Sequence, residues 1–77
     1  MEGTIHSAAD LGAIIRRRRR ALGYTQTDLA EFNGCSTRYI SELERGVAAA
    51  KLEGVIRVAN SIGIDLTARE RGDVTWR

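Results

Sequence analysis

Apolar residues recur along most of the chain at helical spacing, and then, near the C-terminal end, at the spacing of a strand. Leu11, Ile14, Ile15 and Leu22 form the first stripe. Ser7 and Asp10 stand as a capping box at its start and Gly23 as a left-handed stop, so a helix is predicted over residues 8–22. Thr25 and Asp28 make a second capping box, with Tyr24 placed to staple onto Leu29, and predict a helix over 26–33. Gly34 then turns the chain. Ser36 caps a third helix with Ile40 and Leu43 on its inner side, and Gly46 closes it after Arg45. Leu52, Val55, Ile56, Ala59 and Ile62 carry a fourth helix up to Gly63, although no side-chain oxygen between Val47 and Lys51 can cap it. Gly54 within that helix costs ~1 kcal/mol relative to alanine unless something must approach closely there.

After Gly63 the period shortens to two: Ile64, Leu66 and Ala68 alternate with Asp65, Thr67 and Arg69. The chain has no second segment of this kind. A strand over 64–69 therefore finds its backbone partners in the same strand of another copy, antiparallel across a two-fold axis, with Ile64, Leu66 and Ala68 as the dimerisation residues. A short fifth helix is the alternative. The expected fold is mainly α, with four to five helices and one C-terminal β-strand pairing across a dimer. The domain covers 8–70, between a flexible N-terminus at 1–7 and a flexible tail at 71–77.

Length strengthens the expectation of a homodimer, because a chain of 77 residues buries only ~60% of its unfolded surface and is marginal alone. The net charge is only +2, yet Arg16, Arg17, Arg18, Arg19 and Arg20 are consecutive. Such clustering is what a polyanion senses. Five helical positions exceed one turn, so these arginines cannot share a surface. Arg16 and Arg20 lie on one face, whereas Arg18 falls near the apolar stripe, where it can bury its stem and keep its head in water. A solvated face is the ordinary fate of a charge run, but this one ends beside the second and third helices.

Other residues narrow the function by what they fail to assemble. One cysteine excludes a disulfide framework, and with a lone His6 it builds no metal site. Cys35 reads as a small core residue and Trp76 as an exposed tail residue unless a partner covers it. No apolar run approaches a signal peptide or a membrane span, so the chain reads as soluble and cytoplasmic. No nucleophile–base pair, phosphate-binding glycine loop or metal motif is present, which argues against an enzyme and for no cofactor.

The chemistry that does assemble lies between Thr25 and Gly46, where two short capped helices joined by a glycine turn form a helix-turn-helix pattern. The expected partner is double-stranded DNA. Thr37, Arg38 and Glu42 stand on the outer side of the third helix as base readers. Arg38 matches guanine O6 and N7 bidentately, Thr37 can touch a thymine methyl, and Glu42 can accept from cytosine N4. Arg38 could instead bind only phosphate, and Glu42 could instead pair with Arg38 or Arg45. Gln26, at the first turn of the second helix, can add its amide to the donors already facing a phosphate. Thr25, Ser36, Tyr39, Ser41, Arg45 and Arg20 complete the expected phosphate contacts.

On these motifs the chain resembles the lambda-repressor-like Xre helix-turn-helix family from about Leu11 to Leu66. The specific elements are Tyr24-Thr25-Gln26 with Leu29-Ala30, Ile40-Ser41 with Leu43-Glu44-Arg45-Gly46, and the helix from Leu52 to Gly63. Within that family it is most similar to HipB-type antitoxins, through Ile40-Ser41-Glu42-Leu43-Glu44-Arg45-Gly46, the Ala50-Lys51-Leu52 step, Val58-Ala59 and Ile64-Asp65-Leu66. The resemblance implies a dimeric repressor that binds a palindromic operator, controls its own operon and binds a HipA-like serine/threonine kinase toxin. A free-standing or phage-derived Xre regulator is the alternative. The family also implies phosphate contact by Gln26, base-facing positions at Thr37, Arg38 and Glu42, and a structural ion pair between Arg19 and Glu44. The chain departs from the family at Arg18 and Asn33, where apolar residues are usual, and at Ala50 and Lys51, which replace a proline and a serine.

Overall fold

The computed structural model describes residues 3–47 and 50–72, and contains four helices, α1 (Ala8–Ala21), α2 (Gln26–Asn33), α3 (Thr37–Arg45) and α4 (Leu52–Ser61). Local chemistry explains most of their ends. Thr25 and Asp28 form the full reciprocal capping box, and Ser36 Oγ accepts the Tyr39 N–H at 3.0 Å. Glycines 34 and 46 take left-handed conformations as the C-caps of α2 and α3, and Gly23 and Gly63 have the same sign of φ just past α1 and α4. Lys51 precedes α4 as its N-cap and offers no side-chain cap, as the missing oxygens require. At α1, Ser7 Oγ accepts the Asp10 N–H, but Asp10 reaches past Ser7 to the His6 N–H at 2.9 Å, so the box expected there is only half formed.

Ile15, Leu29, Ile40 and Val58, one from each helix, are the largest fully buried side chains. Leu43, Val55 and Ile62 complete the apolar centre, and Cys35 packs at its edge. Burial pushes the Cys35 thiol above its ordinary pKa, against a smaller opposing effect from the charge of Arg57.

The Tyr24 ring, expected to staple onto Leu29, meets Phe32 edge to face at 5.0 Å, and Leu29 itself is sealed in the core. The structure revises three expectations. Helix α1 ends at Ala21, with Leu22 as its cap. Leu52 lies at the first position of α4, outside the core, and is 69% exposed. Residues 64–69 form neither a strand nor a fifth helix among the described residues, because the pairing that would define a strand requires a second chain. Ile64 and Leu66 are half-buried and Ala68 is exposed. Trp76 and the tail after Gly72 lie outside the described residues, as do Met1 and Glu2. Among the described residues, no helix is long and apolar enough to cross a membrane.

Candidate nucleic-acid interface

Gly34 sets the angle between α2 and α3: its φ of 64° lets the chain reverse, and the Cys35 N–H bonds back to the Ala30 carbonyl at 3.0 Å. Helix α3 then splits by side. Ile40, Leu43 and Glu44 are buried against α1 and α2, while Thr37, Arg38 and Arg45 are exposed and Tyr39, Ser41 and Glu42 are half-buried. The outer row therefore rests on a seat with little freedom to rotate.

Arg38 Nε donates to Glu42 Oε2 at 3.2 Å, one turn along the same helix, so two of the three expected base readers start out paired with each other. Their side chains are 86% and 32% exposed, and water screens the pair. The Thr27 and Thr37 hydroxyls lie 3.4 Å apart across the turn, and Arg45 Nε reaches the Ser41 carbonyl at 3.4 Å. The Thr25 and Ser36 hydroxyls each accept a capping N–H. Each keeps its own O–H to donate elsewhere, so capping and phosphate contact are compatible.

Behind this face lies a buried polar node. Arg19 Nε and Nη2 donate to Glu44 Oε2 and Oε1 at 2.6 and 3.0 Å, and Arg19 Nη1 donates to the Tyr24 carbonyl at 2.8 Å. The bidentate hydrogen bonds to Glu44, aided by its charge, hold the guanidinium above the usual arginine pKa even though burial opposes them. Gln26 belongs to the same node: its Nε2 donates to Glu44 Oε1 at 3.1 Å. The amide expected to stand free at the start of α2 thus has one N–H committed inward and one left over.

Three further residues brace the helices behind this face, and only Gly12 leaves a sign of it in the sequence pattern. Gly12 lies where α1 crosses α3, and a Cβ there would overlap the Leu43 and Glu44 carbonyls. A glycine inside a strong helical pattern was the available signal. Arg18 is exposed, yet its Nε caps α4 by donating to the Ile62 carbonyl at 2.8 Å. Asn33 offsets its polarity by donating to the Leu29 carbonyl at 2.9 Å and to Ser61 Oγ at 3.1 Å. The close approach that would justify Gly54 is also present, because the Tyr39 hydroxyl would be 2.9 Å from a Cβ at that position.

Residues 15–68 match a family described as helix-turn-helix. The chain is 34% identical over 70 residues to the uncharacterized HTH-type transcriptional regulator y4mF of Sinorhizobium fredii, covering 88% of this chain and 92% of that one. Among solved structures it is similar to HipB in a complex with an O2 20mer, with a TM-score of 0.81 at 23% identity over 91% of this chain and 97% of that one. A HipA–HipB–O2–O3 complex matches with a TM-score of 0.79 at 23% identity, over 90% and 97%. The clp gene regulator ClgR from C. glutamicum matches with a TM-score of 0.72 at 32% identity, over 86% and 85%.

Proposed function

Since this chain belongs to the helix-turn-helix family of Xre-type transcriptional regulators, we propose that it works as a homodimeric repressor of a palindromic operator and as the antitoxin of a HipA-like serine/threonine kinase. The observation that carries the DNA half is the two-sided α3, which exposes Thr37 and Arg38 at its start while Ile40, Leu43 and Glu44 anchor it from behind. In this reading Thr37, Arg38 and Glu42 face base edges. Arg38 exchanges its weak bond to Glu42 for guanine, and Glu42 is released toward cytosine. Gln26 turns its remaining N–H to a phosphate, joined by Thr25, Ser36, Tyr39, Ser41, Arg45 and Arg20. Residues 64–69 pair with their copies to set the distance between two α3 helices at about one turn of DNA, ~34 Å.

A selection from randomised duplexes tests the repressor reading. It should return an inverted repeat with that spacing, and a pool without enrichment would defeat it. Leu66→Asp should shift the protein toward monomer in sedimentation and weaken operator binding. An unchanged dimer would place the interface elsewhere.

Similarity to HipB supports the antitoxin half, and the HipA–HipB complex motivates the kinase partner. A second reading, a free-standing regulator without a toxin, draws on the higher identity to ClgR, 32% against 23%. Co-purification of a HipA-like kinase from the native cell, with inhibition of its activity by the added chain, decides between them; a chain that purifies alone and leaves such a kinase active favours the second.

A further inference from the structure

Two of the five consecutive arginines are engaged within the protein, Arg18 on the Ile62 carbonyl and Arg19 on Glu44. Arg16, Arg17 and Arg20 are exposed, and their side chains make no hydrogen bond or ion pair among the described residues. With Ala13 and Glu44 they line an open cleft of about 460 Å³. Standing three and four residues apart on one helix, they repel one another. No carboxylate one turn away relieves this: the preceding turn supplies Gly12, Ala13 and Ile14, and the following one Gly23 and Tyr24. The only acid in the cleft is Glu44, whose charge Arg19 already matches. Three uncompensated positive charges therefore gather at one place. That place adjoins the DNA-facing side, because the Glu44 at its edge also holds the Gln26 amide at the start of α2.

Resting on the DNA-binding reading above, we propose that Arg16, Arg17 and Arg20 form a clamp for the DNA backbone on α1, gripping phosphates that flank the half-site read by α3. Guanidinium groups suit phosphate oxygens in charge and geometry. The clamp carries no sequence information. It supplies affinity, salt dependence and a requirement for duplex beyond the bases that are read.

The test compares wild type with the triple variant Arg16→Gln, Arg17→Gln, Arg20→Gln on two duplexes, one with long flanks and one trimmed to the inverted repeat, over a salt series. On the long duplex the slope of log affinity against log salt should shrink by about 0.9 for each phosphate that the variant no longer neutralises. The selected sequence should stay the same. Trimming should weaken wild type but leave the variant unchanged, and matching thermal unfolding curves should show an intact fold. A variant with the wild-type slope overturns the clamp while leaving the repressor reading standing; if that variant also fails to bind an acidic protein partner that wild type binds, the arginines belong to that partner. A wild type that binds no duplex defeats both.

Discussion

Arg19–Glu44 and Arg38–Glu42 join the same two functional groups, yet one pair lies between α1 and α3 and the other along the outer side of α3. The inner pair is bidentate, with side chains 10% and 2% exposed; the outer has one bond, with 86% and 32% exposed. Removing two charges from water carries a large penalty, which the inner pair offsets with further hydrogen bonds to the Tyr24 carbonyl and from the Gln26 amide. The outer pair has little desolvation to offset and little to lose when it opens. Burial, and not residue type, thus decides which arginine holds the domain together and which remains available to a ligand.

The largest effect should come from breaking the inner pair. Glu44→Ala leaves Arg19 buried without its anion and should cost ~3–5 kcal/mol, measured by urea denaturation against wild type. Replacing both partners, Arg19→Met with Glu44→Leu, should restore much of that stability, since apolar side chains remove the charge that lacked a partner. If the double variant is no more stable than Glu44→Ala, packing and not charge controls the site. For the outer pair the order of effects reverses. Arg38→Ala should alter stability by no more than about 0.5 kcal/mol, while discrimination at one base pair per half-site falls by ~1–3 kcal/mol in a binding selection. An unchanged base preference would remove Arg38 from the readers. Glu42→Gln should have the smallest effect, a stability change within about 0.5 kcal/mol, with affinity for unselected duplexes rising slightly as an anion leaves the face while the preference for cytosine at its base pair falls. Calorimetry and titration of a random duplex would check both.

What could be read from the sequence was what depends on neighbours along the chain. The Thr25–Asp28 box, the Ser36 cap and the turns at Gly34, Gly46 and Gly63 each rest on interactions within about one helical turn, and so they are written in adjacent residues. The same holds for the outward set Thr37, Arg38 and Arg45, whose side of α3 follows from Ile40 and Leu43. What stayed hidden depends on distant segments. Arg18 finds its carbonyl 44 residues away, and the Gln26 amide meets Glu44 18 residues away. No periodicity encodes either meeting. The Arg19–Glu44 pairing came from family resemblance alone, because composition does not distinguish Arg19 from its four neighbours. The alternation at 64–69 yields no strand among the described residues, and on the proposed reading a second chain would supply the pairing.

The crossing of α1 and α3 has a consequence for how such a protein can change. Gly12 meets the Leu43 and Glu44 carbonyls, and a Cβ on Gly46 would lie 2.5 Å from the Ala9 Cα, so main chain rests on main chain with no side chain between. A joint of this kind does not adapt when neighbouring side chains vary. The attitude of α3 is therefore insulated from drift in the surrounding sequence, and on the proposed DNA-binding reading residues such as Thr37 and Arg38 could be exchanged one at a time to address new operators from an unaltered chassis.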